Sequence, residues 1–288
     1  MNLHETAAGV LSYALQSGLL LAIGLLLPKV LRLRHPATLL GYWRGLLLAA
    51  LLLPLALTGW QQKTQVAALT IEGITVEAVV TATLPEQVPG FTWTTVYALI
   101  AIGALLGLGR LAVGLVYLRR CRGVAEPLRP EPASVSEVQK RLGTNAAFLV
   151  SNRLSAPITF GWRRPAVLVP RAFRDLTAEE QEGVACHELL HVKRGDWVMT
   201  FLEEVMRAVL WFHPAIWLLL PRISLSREQV VDAGTVRLTG KRRQYLDALW
   251  QIVCTYRRQA EALAVPFLGR SHLFERVALL KKEIAMSR

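Results

Sequence analysis

VACHELLHVKR, residues 184–194, decides how the rest of this chain is read. The segment just upstream, LTAEE (176–180), is a capping box in which Thr177 serves as N-cap and Glu180 follows three positions later. A helix of about five turns is therefore expected, with Gly195 ending it. On a helix His187 and His191, four apart, lie on one face, where two ring nitrogens reach a single ion. Glu188 is one position along and projects beside that ion. This is the HExxH arrangement: two neutral imidazoles hold zinc, the ion acidifies a water and polarises a peptide carbonyl, and Glu188 accepts the water's proton and passes it to the leaving amine.

Zinc in such a site takes a third protein ligand and leaves one position open. The metzincin pattern would require Gly at 194 and His at 197, and the chain has Arg194 and Trp197, so that class is excluded. His213, Glu203, Glu204 and Glu228 remain as candidates. Glu228 is favoured because Asp232 follows four residues later in SREQVVDAGTV (226–236), which places a ligand and a carboxylate that can accept an imidazole N–H on one helix face. The alternative for Glu228 is a simple pair with an arginine. Asp196 is either a similar supporting carboxylate or a loop acid, and His213 either helps stabilise the oxyanion or is a core histidine at the kink before Pro214. Cys186 points about 100° away from His187 around the helix and reads as a small buried residue. Glu203 and Arg207 have the spacing of an i,i+4 ion pair.

The setting of this motif is a membrane. The 288 residues are 53% hydrophobic, with a mean hydropathy of +0.36, above the apolar share of an ordinary soluble domain. The surplus lies in three runs, 8–28, 38–58 and 95–118, each long enough to cross a hydrocarbon layer roughly 30 Å thick. A cleaved signal peptide is disfavoured for the first run by Glu5 before it and Pro28 and Lys29 after it. Lys29, Arg32 and Arg34 lie between the first two runs, and Arg119, Arg120 and Arg122 follow the third, so both sites are expected in the cytoplasm. The N-terminus and the acidic 61–94 loop then belong outside. The net charge of +12 is accounted for largely by these flanks, and no nucleic-acid motif accompanies it, so direct nucleic-acid binding is not expected. Three cysteines without CxxC spacing argue for reduced thiols.

The expected organisation is a membrane domain over 1–119, a linker over 120–135 containing the proline-rich EPLRPEP, and a cytoplasmic metallopeptidase domain over 136–288. FLVS (148–151), PITF (157–160) and AVLV (166–169) predict a small antiparallel sheet beside the HExxH helix. The uncharged stretch 208–220 is too short to span, leaving a buried core helix or a dip into the bilayer from the cytoplasmic side. The fold class is thus an α-helical membrane protein with an α+β, zincin-like cytoplasmic domain.

HELLHVKRGDW (187–197), FHPAIW (212–217), SREQVVD (226–232), SAPITFGWRRPAVLVP (155–170) and GRSHLFERVALL (269–280), in that setting, resemble the BlaR/MecR antirepressor family of membrane zinc metallopeptidases. The resemblance covers the three apolar runs and the whole domain after them. It implies a gluzincin-like endopeptidase with one zinc per chain held by His187, His191 and Glu228, with Glu188 as general base and Asp232 supporting a ligand. It also implies residence in the bacterial inner membrane and cleavage of a cytoplasmic protein, a transcriptional repressor or the chain itself, in response to an outside signal. Residues 1–288 contain no Ser-x-x-Lys acylation motif and no fourth span or penicillin-binding domain, so β-lactam sensing is not expected of them. The competing functional class is a catalytically silent signalling scaffold of the same fold, which would have no need of Glu188.

Overall fold

The computed structural model describes residues 3–61, 93–154, 156–259 and Arg276. Three long helices come first, α1 (Leu3–Val30), α2 (Pro36–Gln61) and α3 (Trp93–Gly123). Each is apolar on all sides rather than along one stripe, the pattern of a helix with no aqueous face. Two stretches among the described residues are long and apolar enough to cross a membrane, Pro36–Leu53 and Thr94–Gly123, and they coincide with the second and third expected spans. The first expected span, 8–28, is helical throughout, but its described apolar part, Leu15–Val30, falls short of that length. Most of the expected outer loop, 61–94, lies outside the described residues.

Contacts group the chain into two units, Met1–Arg32 with Arg44–Ile102, and Leu33–Trp43 with Gly103–Arg288. In the first, Leu46 of α2 sits over Gly24 of α1, close enough that a Cβ on the glycine would lie 2.5 Å from a leucine methyl. The second unit adds β1 (Glu126–Pro127), α4 (Ala133–Leu142), β2 (Ala147–Ser151), β3 (Ile158–Phe160) and β4 (Ala166–Pro170), then α5 (Ala178–Arg194), α6 (Asp196–Val209), α7 (Pro214–Thr239) and α8 (Arg242–Gln259).

The sheet has the order β1-β2-β4-β3 and is mixed, not antiparallel as expected from its short runs. β2 and β4 pair in parallel from Ala147↔Ala166 to Ser151↔Pro170, while β3 folds back antiparallel on β4 and β1 pairs antiparallel with β2. The reason lies in AVLVP. Every residue of β4 is buried, so the strand needs a neighbour on each side and cover on both faces, and a central position between β2 and β3 supplies this. The proline-rich stretch before α4 contributes the two residues of β1 and the buried side chain of Leu128.

Alternation along β4 divides the core. Val167 and Val169 face a cluster with Phe148 and Val150 of β2, Val135 and Val138 of α4, and Val184, Ala185 and Leu189 of α5. Ala166 and Leu168 face the other way, toward Ile158 and Phe160 of β3 and the last turns of α3, Leu118 and Cys121. The sheet is therefore clamped between the HExxH helix and the last turns of an apolar helix. Leu168→Ala removes a side chain with no solvent exposure from this second cluster and should cost about 2–5 kcal/mol. Denaturant unfolding of the purified protein in detergent checks this, with Arg163→Ala, an exposed position, expected to stay near the parent.

Candidate metal centre

α5 begins as the sequence suggests. The Thr177 hydroxyl accepts from the Glu180 backbone N–H at 3.3 Å, and the Glu180 carboxylate accepts from the Thr177 N–H at 2.8 Å. Gly195 closes the helix with φ 66°, the left-handed conformation that glycine adopts most readily. Between these ends His187 and His191 project toward each other, with their Nε2 atoms 3.2 Å apart. α7 brings Glu228 to the same place. Its carboxylate oxygens lie 3.5 Å from His187 Nε2 and 3.6 Å from His191 Nε2.

The other ring nitrogens are held from behind. His191 Nδ1 is 2.9 Å from Asp196 Oδ2 at the start of α6, and Arg194 Nε donates to the same oxygen at 3.0 Å. Burial alone would raise the Asp196 carboxyl, but the hydrogen bond and charge of His191, with those of Arg194, outweigh it and hold the group below its ordinary range. Asp196 is thus a buried anion that accepts from Nδ1–H. His187 Nδ1 faces the Tyr245 hydroxyl at 2.8 Å and Asp232 Oδ1 at 3.2 Å. Burial followed by the Asp232 charge pushes the Tyr245 phenol well above its usual pKa, so it keeps its proton and donates it to Asp232 Oδ1 at 2.6 Å. With Nδ1 of each ring turned to these groups, both Nε2 atoms point into one space.

The two Nε2 atoms are 3.2 Å apart, and Arg276 Nη2 lies 3.3 Å from the one on His187. The donor set fits a metal ion. His187, His191 and Glu228 each offer one atom, all within 4.8 Å of one another. His187 Nε2 is nearest Glu228 Oε2 and His191 Nε2 nearest Oε1, so the carboxylate faces both rings, one oxygen to each.

Arg276 completes the arrangement. It donates to Asp232 through Nε at 2.9 Å and Nη2 at 2.7 Å, and Nη1 lies 2.9 Å from Glu228 Oε2. Burial opposes the Glu228 charge, but Arg276 first, and the histidines after it, keep this carboxyl well below its usual range. Asp232 is lowered in the same way. Glu188 is buried beside the cluster, where the Thr159 hydroxyl donates to its Oε2 at 2.6 Å.

The structure therefore brings together His187, His191, Glu228, Asp232, Asp196 and Glu188. It does not bring His213 there. That ring is the N-cap of α7, with Nδ1 accepting from the Ala215 N–H at 3.1 Å, about 22 Å along the helix axis from Glu228. Glu203 pairs with Arg227 of α7 at 2.8 Å rather than with Arg207, which lies 3.3 Å from Glu204. The i,i+4 expectation fails because α7 offers Glu203 a buried guanidinium across the helix interface. Cys186 is buried, and burial pushes its thiol up to about 11, far from a ligand's thiolate.

Thr159, Tyr245 and Arg276 were not singled out by the sequence. Thr159 sat in a run legible only as a strand, and Arg276 in a late segment without ligand spacing. For Tyr245 a signal existed in Gly183, a poor helix former one turn before His187. A Cβ there would lie 3.1 Å from the Tyr245 ring, so the glycine admits α8 to the back of the histidine.

Comparison with known proteins identifies relatives. The chain is 26% identical over 121 residues to the regulatory protein BlaR1 of Bacillus licheniformis, covering 41% of this chain and 20% of that protein. It is 25% identical over 92 residues to the methicillin resistance mecR1 protein of Staphylococcus aureus, covering 32% of this chain and 16% of that one. The matched segments thus span a fifth or less of the relatives' lengths. The family model described as BlaR1 peptidase M56 matches residues 9–280, nearly the whole chain, and the chain belongs to that family.

Proposed function

We propose that this protein is a zinc metalloendopeptidase of the bacterial cytoplasmic membrane that cleaves a cytoplasmic protein near the bilayer. The observation that carries this is the convergence of two imidazole Nε2 atoms and one carboxylate, with one ligand atom from each within 4.8 Å of the others and a second carboxylate alongside. His187, His191 and Glu228 hold the ion. When bound, zinc supplies Lewis acidity to a water and to a peptide carbonyl oxygen. Asp196 and the Tyr245–Asp232 pair fix both rings in the tautomer that leaves Nε2 free. Arg276 occupies one Glu228 oxygen, which orients the carboxylate and balances its charge.

Glu188 is the general base. Thr159 holds Oε2, so Oε1 is the oxygen left to accept the proton of the attacking water and then to release it to the leaving amine nitrogen. β3, which carries Thr159, is the outer strand of the sheet among the described residues and lies against α5. An extended peptide laid along it would bring its carbonyl beside the cluster. A transcriptional repressor is the substrate suggested by the resemblance to signal-relaying antirepressors, and self-cleavage is the second target. The basic flanks support an orientation with the N-terminus outside and the metal cluster in the cytoplasm.

Three expectations test this. Purified protein should hold about one zinc per chain. Glu188→Gln should keep the metal while losing roughly a hundredfold or more in cleavage rate, and Glu228→Gln should hold it more weakly and recover partly with added zinc. Metal analysis and cleavage of a candidate repressor on the same samples decide it, and wild-type cleavage by Glu188→Gln would refute the assignment.

Tyr245→Phe keeps the ring but removes the hydroxyl behind His187, so zinc affinity measured by chelator competition should fall by about 10- to 100-fold. Unchanged affinity would show that the hydroxyl does not support the ligand.

For orientation, a cysteine at Thr81 should react with an impermeant maleimide in intact cells and one at Ser134 should not. The opposite pattern would place the site outside the cell.

A further inference from the structure

α6 ends at Val209 and α7 begins at Pro214, and the surface of this corner is apolar. Trp211, Phe212, Trp217 and Leu218 are 37%, 49%, 54% and 38% exposed, and Met199, Leu202 and Val209 extend the exposed stripe along α6. Scattered exposed apolar residues are ordinary, but a contiguous aromatic patch is not.

What covers it follows from the neighbour of α6. Trp197, at the start of α6, packs against the cluster that contains Leu118 and Cys121 of α3. Further on, the Arg110 charge acts on Glu204. Ala208 lies so close to Gly107 that a Cβ on the glycine would be 2.9 Å from the alanine Cα. The Trp211 ring fills the space against Gly103. Going from Ala208 to Trp211 moves back along α3 from Gly107 to Gly103, so the two segments run antiparallel here. Gly103 lies about 22 Å along the axis from Leu118, beyond the basic flank of Arg119, Arg120 and Arg122, inside a helix long and apolar enough to cross a membrane.

A second register agrees. The Arg222 guanidinium of α7 lies 5.7 Å from the ring centroid of Trp43, near the start of α2 and just after the basic Lys29–Arg34 stretch. Pro214 is a further 12 Å or so along α7. The charged groups of this region face one another rather than the stripe, with Glu203 on Arg227 and Glu204 on Arg207, as intramembrane charges do.

We propose that α6 and the first turns of α7 form a re-entrant hairpin whose aromatic corner lies among the acyl chains of the lipid bilayer, entering and leaving on the side of the metal cluster. The proposal rests on α3 crossing the membrane and is independent of peptidase activity. The hairpin starts at Asp196, which holds His191, and α7 returns to Glu228, so both sides of the metal cluster hang from one lipid-embedded element.

The test is nitroxide labelling of the full-length chain in phosphatidylcholine–phosphatidylglycerol vesicles. Labels go on Phe212→Cys and separately on Trp217→Cys, with the signal of the unsubstituted chain subtracted. Accessibility to oxygen, which partitions into lipid, is compared with accessibility to a water-soluble nickel chelate. Leu105→Cys, on the 68% exposed face of α3, is the lipid reference, and Arg163→Cys is the aqueous one. Both corner labels should shift toward oxygen as Leu105 does. Corner labels that follow Arg163 would overturn the proposal in favour of a water-exposed patch, and labels shielded from both reagents would overturn it in favour of a protein partner. If Leu105 itself reads as aqueous, the membrane reading of α3 fails and the hairpin fails with it.

Discussion

Two imidazole Nε2 atoms held 3.2 Å apart at the edge of a buried core are the constraint around which the second unit is arranged. Left alone, such rings would turn away. Each is prevented from turning by an acceptor on its far side, and each acceptor comes from a different helix, Asp196 from α6 and Asp232 from α7. Asp232 and Glu228 in turn need a buried cation, and Arg276 contacts both. Removing any one member strands a charge where water cannot easily compensate it, which is why these groups behave as a unit.

What the sequence made legible is what local periodicity encodes. The capping box, the Gly195 stop and the four-residue spacings of His187 to His191 and of Glu228 to Asp232 are properties of single helices, and all four can be read without knowing the fold. Tyr245 and Arg276 reach the same cluster from 58 and 89 residues beyond His187, and no local pattern announces a contact at that separation. His213 was open to two readings, and the structure places it as a buried acceptor that caps α7. The parallel pairing of β2 with β4 was hidden for a related reason. Strand direction depends on which run takes the middle of the sheet, and only the full burial of AVLVP settles that.

Charge follows burial here in an instructive way. Among the described residues, the two buried arginines each meet a carboxylate, Arg227 on Glu203 and Arg276 on Asp232 and Glu228. These two basic residues hold anions in place where water is excluded.

The three residues of β3 join regions of the protein that sequence order keeps apart. Ile158 and Phe160 belong to the cluster that includes Leu118 and Cys121 at the end of α3, while Thr159, between them, points to the opposite side and holds Glu188. Because strand side chains alternate, one face of this strand cannot shift without carrying the other. The packing of an apolar helix and the aim of a single carboxylate oxygen are thus set by the two faces of one three-residue strand.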